Sequence, residues 1–320
     1  MLDVANAIAI RVPLRRRGIG RPRRCQPRSS TSRRSGRAEP SGSFRRLGAS
    51  RGTAYDGVMP AYFERLDDAR FRINDAVRGS WSPNDAHIAP VLGLTAHIVE
   101  HHRDHRRDDG LQIGRIAYDI FGTMDVTVSD ILDADVRIVR PGRTIELVEV
   151  ALTHLGRTSL LAHAWLMHPF DTAHLAGSGA PAMPSRDAMG AESPMTRDAS
   201  FGFVSTIDMH RKPDTPGHGW AWMRPQLPLL DGEPVSPTAR ALGVVDVANG
   251  VGPLIDPKLA TYPNIDLTAH VFAEPKGEWI GFETMASFGP TGMGLTRSML
   301  YDEAGTPFGG VHQMNTVRPR

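Results

Sequence analysis

One plan occurs twice in this chain: a strand, a long helix, then four extended stretches joined largely by tight connections. In the first half FRINDAVRGSW (71–81) reads as a strand. A helix over 85–102 follows, where Ile88, Val91, Leu92, Leu94, Ile98 and Val99 recur at helical spacing. Asn84 or Asp85 can cap it, and Pro90 moves the true start a little later. Extended stretches over 111–122, 133–140, 144–156 and 157–168 come next, broken at Gly122, Pro141-Gly142 and Gly156-Arg157. The second half repeats the order: a strand at 218–225, a helix over 236–249 with Thr238, Leu242, Val245 and Ala248 facing a core, then strands at 264–272, 278–289, 292–302 and 307–318.

A duplicated helix against a meandering antiparallel sheet is an α+β architecture. Strands do not alternate with helices, and neither GxGxxG nor GxxxxGK[ST] occurs, which excludes dinucleotide-binding and P-loop layouts. Several strands, IELVEVAL (145–152) among them, are apolar on both faces. Such a sheet is covered on both sides, by its helix and by a second sheet or subunit, so a homo-oligomer is expected.

The net charge of +2 over 320 residues joins two unlike pieces. Residues 1–53 contain 14 Arg against Asp3 and Glu39, so the remainder is acidic. This Arg-, Ser-, Gly- and Pro-rich stretch cannot bury enough apolar surface to offset its ordering entropy. Residues 1–58 are therefore expected to be a disordered extension, or the product of a misplaced start, since Met59 immediately precedes the first patterned segment. Phe44 is the only ring before Tyr55, so the arm lacks the aromatics that stack on bases, and nucleic acid is not an expected partner. The single cysteine, Cys25, lies in this stretch. A body without cysteine has no disulfide, cysteine-based zinc site or thiol nucleophile, and no GxSxG elbow is present. No secretory signal and no membrane-spanning run are evident, so a cytoplasmic protein is expected. Residues 168–200, rich in Ala, Pro, Gly, Ser and Met, read as a linker or excursion. The expected division is an N-terminal unit at 59–167, an excursion at 168–212 and a C-terminal unit at 213–320.

WSPNDAHIAPVLGL (81–94), VRIVRPGRTIELVEVAL (136–152), VVDVANG (244–250), YPNIDLTAHVF (262–272), GEWIGFE (277–283) and GMGLTRSMLYDEAGTPFGGVHQ (292–313) occur in an order that resembles the thioesterase-like superfamily, specifically double-hotdog acyl-CoA thioesterases of the thioesterase II type. The resemblance covers roughly residues 59–320. It implies a double hotdog, two antiparallel sheets each wrapped around one long helix, that hydrolyses an acyl-CoA or related acyl thioester without metal or cofactor. It also implies a carboxylate at Asp246, a water-positioning glutamine at Gln313 and, where the family carries Thr or Ser, Asn264. His87, Trp279, Gly292 and Gly294 fall on segments implied to bind substrate. The sequence departs from the family at Asn264, which has no hydroxyl, and at HIAP (87–90), which lacks paired glycines.

The residues themselves leave alternatives open. Asp246 can be a solvated helix residue, Asn264 a strand terminator after Pro263, Asp266 a loop support, and His87 a helix cap. His97, His101, His102 and His105 satisfy i, i+4 ligand spacing, but HHRDHRRDD reads as a solvated helix end. Trp220, Trp222, Trp279 and Phe282 read as core or acyl-tunnel walls. The competing functions are a hotdog acyl-CoA-binding protein without turnover, favoured by the Asn264 departure, and a hydratase or dehydratase. The latter needs a closely placed Asp–His pair, which no spacing in the sequence reveals.

Overall fold

The computed structural model describes residues 61–79, 82–190 and 202–320. The chain divides into residues 1–54 and 55–320, and every described residue belongs to the second unit. The expectations for the Arg-rich extension and for Trp81 lie outside the described residues.

Among the described residues, fourteen strands and two α-helices order this unit. The first half carries β1 (Phe63–Arg65), β2 (Arg70–Ile73), α1 (Ile88–Asp104), β3 (Gln112–Ile120), β4 (Ile131–Arg140), β5 (Ile145–His154) and β6 (Arg157–Met167). The second carries β7 (Ile207–Thr215), β8 (His218–Pro225), α2 (Pro237–Leu242), β9 (Ala260–Thr261), β10 (Asp266–Val271), β11 (Ile280–Phe288), β12 (Met293–Tyr301), β13 (Pro307–Thr316) and β14 (Arg318–Pro319). Twelve strands form one sheet in the order β1-β2-β4-β5-β6-β3-β10-β13-β12-β11-β8-β7. Every ladder within it is antiparallel. The two expected sheets merge edge to edge at β3–β10, where Asp266 pairs with Asp119 and His270 with Arg115. The duplicated plan implied an α+β architecture, and the double hotdog is the form of it that the resemblance implied.

Helix α1 starts at Ile88 because His87 caps it: the Ala89 amide donates to His87 Nδ1 at 3.1 Å. Residues Ala89–Glu100 are buried, so the helix runs through the core. Helix α2 begins at the Ser236 cap, whose Oγ accepts from the Ala239 amide, with Pro237 at the first helical position. It ends at Gly243, well short of the expected 249. The Gly243 N–H folds back to Ala239 and Arg240, and the chain continues as a separate 3-10 turn, Val245–Gly250. The two helices meet where a Cβ on Gly93 would stand 2.6 Å from Gly243 Cα. Only glycine permits that approach, and the apolar periodicity across 238–248 does not register it.

Two other expectations change. The strand anticipated at 71–81 is only β2, followed by the 3-10 turn Asp75–Val77. Residues 207–212, assigned to the excursion on composition, belong to edge strand β7 paired with β8. The earlier part of the excursion straps a second apolar cluster, Met189, Trp222, Trp279 and Tyr301. Trp222 Nε1 donates to Pro184 O at 2.8 Å and Tyr301 Oη to Pro181 O at 2.9 Å. No helix among the described residues is long and apolar enough to cross a membrane.

Candidate active site

Breaking the second helix at Gly243 turns Asp246 inward onto the sheet. Its side chain is buried beneath the 3-10 turn, while Asn264, just ahead of β10, and Gln313, on β13, approach from the sheet side. Asn264 is fixed by an isolated bridge to Asn315. Gln313 is fully buried and lies opposite Thr296 on β12. Asn264 Nδ2 donates to Asp246 Oδ1 at 2.7 Å. Gln313 Nε2 donates to the same oxygen at 3.2 Å and to the Asp246 carbonyl at 2.9 Å.

Two amide donors thus grip one carboxylate oxygen, and among the described residues no hydrogen bond reaches Oδ2. Gln313 Oε1 is buried and has no hydrogen-bond partner among the described residues. Burial pushes the Asp246 carboxyl up to about 7, against the opposing pull of the Asn264 and Gln313 hydrogen bonds. His87 faces the other side: its Nδ1 stands 3.9 Å from Asp246 Oδ2, and its ring packs on Phe203 at 4.9 Å. Burial pushes the His87 imidazole down to about 4. The Asp–His proximity is the feature that sequence reasoning missed. The two residues sit in different halves, and no local pattern encodes a contact made by docking two helices.

The structure brings Asp246, Asn264, Gln313 and His87 together. Trp279 lies elsewhere, in the strapped cluster, with the guanidiniums of Arg186 and Arg224 at 4.8 and 5.0 Å from its ring. Gly292 has φ +83 in the β11–β12 turn, and a Cβ on Gly294 would strike the Phe288 ring at 2.4 Å. Neither glycine needs a substrate to account for it. Asp266 has the supporting role, accepting from the Met314 amide at 2.6 Å. His97 packs with Arg65 and Glu233, and among the described residues no cluster of three or more His, Cys, Asp or Glu could hold a metal ion.

A continuous antiparallel sheet, two docked helices and a buried carboxylate at their junction define a double-hotdog protein. Residues 178–317 match the family model described as the acyl-CoA thioesterase C-terminal domain. No curated protein gives a significant match. Among solved structures, the protein described as a thioesterase II from Thermobifida fusca superposes with a TM-score of 0.60 at 16% identity, covering 82% of this chain and 99% of that one. The acyl-CoA thioesterase II of Mycobacterium marinum gives 0.53 at 15% identity, covering 81% and 95%. A hot-dog-fold protein of unknown function from Alicyclobacillus acidocaldarius gives 0.61 at 11% identity, covering 79% and 95%.

Proposed function

We propose that the protein hydrolyses an acyl-CoA or a related acyl thioester to free acid and thiol, with Asp246 as general base and Asn264 and Gln313 positioning the attacking water. The observation that carries this reading is the pairing of a buried, unpartnered Gln313 Oε1 with a carboxylate held at one oxygen only. A buried acceptor left without a partner costs about 1–3 kcal/mol, and such a group beside a free carboxylate oxygen suits a water that donates to both. Asn264 and Gln313 stabilise negative charge on Oδ1, so Oδ2 is left to take the proton. A carboxyl near 7 can accept a proton and return it at neutral pH. Asn264, where the resembled family carries Thr or Ser, donates to Oδ1 through an amide.

The match of residues 178–317 to the acyl-CoA thioesterase C-terminal domain model supports this substrate class. We place the protein in the cytoplasm as a homo-oligomer, supported by apolar side chains on the outer sheet face, with Ile145 37% and Met167 51% exposed. Sedimentation at several concentrations tests the assembly. The function is tested by release of free thiol from short- to long-chain acyl-CoAs, followed with a thiol-reactive dye. Turnover lost in Asp246→Ala supports the reading, and full turnover in that variant refutes it. Thermal stabilisation by acyl-CoA without thiol release would instead select a non-catalytic binding protein.

A further inference from the structure

Gln313 and Asn315 stand two residues apart on β13, so their side chains share the inward face of the sheet, and both are fully buried. Asn264 joins that face from the segment ahead of β10. Its bridge to Asn315 is closed on either side, by the Thr316 amide on Pro263 O at 2.9 Å and by the Ile265 amide on Met314 O at 3.0 Å. Asn264 and Asn315 are thus opposed without exchanging backbone bonds, the pairing in which cross-strand side chains stand closest. Gln313 and Asn264 hold Asp246 directly. Asn315 makes no hydrogen bond to Asp246 among the described residues, and its partners show what it does instead.

The Tyr262 carbonyl only accepts, so the Asn315 nitrogen faces it, at 3.2 Å. The Asn315 oxygen therefore faces Thr296, a buried residue opposite Gln313 on β12, and the Thr296 hydroxyl donates to it at 2.9 Å. The Asn264 amide is oriented by the same logic. Its nitrogen donates to two acceptors, the Asp266 carbonyl at 3.2 Å and Asp246 Oδ1 at 2.7 Å. A chain of bonds runs from the Thr296 hydroxyl through Asn315 to the Tyr262 carbonyl. Only Pro263 separates that carbonyl from Asn264. The proline ring locks φ, and Pro263 O is held by Thr316, so a hold on Tyr262 reaches Asn264 with little slack.

We propose that Thr296 and Asn315 are positioning residues: together they fix the Tyr262–Asn264 segment so that the Asn264 amide donates to Asp246 Oδ1 and Oδ2 is left to take a proton from water. This rests on the hydrolytic reading and adds no step to it, since both residues act through Asn264. The assignment has a consequence for pH. The Asn264 bond pulls the Asp246 carboxyl down against burial, so weakening that bond lets the carboxyl rise and moves the acidic limb of the rate to higher pH. The neighbouring ionisable groups do not supply such a limb. His87, with Nδ1 3.9 Å from Oδ2, is pushed by burial down to about 4 and stays neutral, and the Asp266 carboxylate is engaged by the Met314 amide at 2.6 Å.

The test is Thr296→Val, which keeps the branched shape but removes the donor, so the Asn315 oxygen is left buried without a partner. Thiol release from one acyl-CoA is followed across pH. The expected result is a kcat lower by about tenfold with KM little changed, and an acidic limb of kcat displaced to higher pH. Thr296→Ser restores the hydroxyl and is expected to recover both. In an Asn264→Ala background, Thr296→Val is expected to lower kcat no further, because the amide through which it acts is gone. If Thr296→Val does not fold, Asn315→Ala is read in the same way. Wild-type kcat and an unmoved limb in the folded variant overturn the proposal even where the melting temperature falls, since the pair then serves the fold alone. An undiminished further loss in the Asn264→Ala background overturns it as well. An inactive Asp246→Ala beside a fully active Thr296→Val removes only this assignment. A wild type that releases no thiol, or full turnover in Asp246→Ala, removes the hydrolytic reading and this assignment with it.

Discussion

Replacing Asp246 with Asn should abolish activity and stabilise the fold, and the stabilisation should depend on pH in a calculable way. Asn is isosteric, and its oxygen can still accept from Asn264 and Gln313 at the Oδ1 position, so packing is preserved while the charge is removed. In the folded protein burial holds the Asp246 carboxyl at about 7, whereas in the unfolded chain it titrates at its ordinary 3.8. Between these values the native state binds the proton more tightly than the unfolded state. The wild type therefore loses stability as pH rises from 4 to 7, by at most about 1.4 kcal/mol per pH unit. The full effect is about 4 kcal/mol as a ceiling, complete above 7. Asn does not titrate and escapes this loss. Urea unfolding of both proteins between pH 4.5 and 8 should show the advantage of Asp246→Asn growing through this window and then levelling. In a unit of this size it corresponds to a rise in melting temperature of roughly 2–4 °C per kcal/mol. A stability difference independent of pH would refute the buried, proton-holding carboxyl, and thiol release at the wild-type rate would refute its role as base.

The rate of thiol release should climb as pH rises through about 7 and level above it, since only ionised Asp246 accepts a proton; an activity flat from pH 5 to 8 would exclude it as the titrating group. Asn264→Thr, whose hydroxyl can donate to Oδ1, should retain activity within several-fold, whereas Asn264→Ala should lose about tenfold or more, as read by kcat on one acyl-CoA. Gln313→Ala should lower kcat by about 10² and melt earlier, because it empties a buried site and strips a donor from Oδ1. Gly93→Ala should destabilise by about 1–3 kcal/mol or prevent folding, its methyl meeting the Gly243 backbone; calorimetry checks it.

Helix α1 and the later strands were legible because local chemistry and tertiary need agree: apolar residues at helical spacing, and Gly or Pro at the breaks. The second helix was not, since Thr238, Leu242, Val245 and Ala248 keep helical spacing straight across Gly243, and the break there belongs to a contact with Gly93 in the other half. Strand β7 escaped because its composition merges with the Pro- and Ser-rich excursion, and only its ladder with β8 defines it. Asp246, Asn264 and Gln313 were named through resemblance rather than pattern. Their convergence on one carboxylate oxygen is a tertiary fact, as is the approach of His87.

The seam at β3–β10 and the placement of His87 opposite Asp246 make this chain two partners joined by a tether. Each half carries one side of the Asp246–His87 pair and one of the two strands that meet at the seam. A tether of this kind replaces a bimolecular encounter with a local concentration in the millimolar range. Severed between 190 and 202, the fragments would regain the complete site by rejoining across the β3–β10 seam, the Gly93–Gly243 contact and the strap at Pro181 and Pro184. Activity would then scale with fragment concentration, as in a complementation pair rather than in a single enzyme.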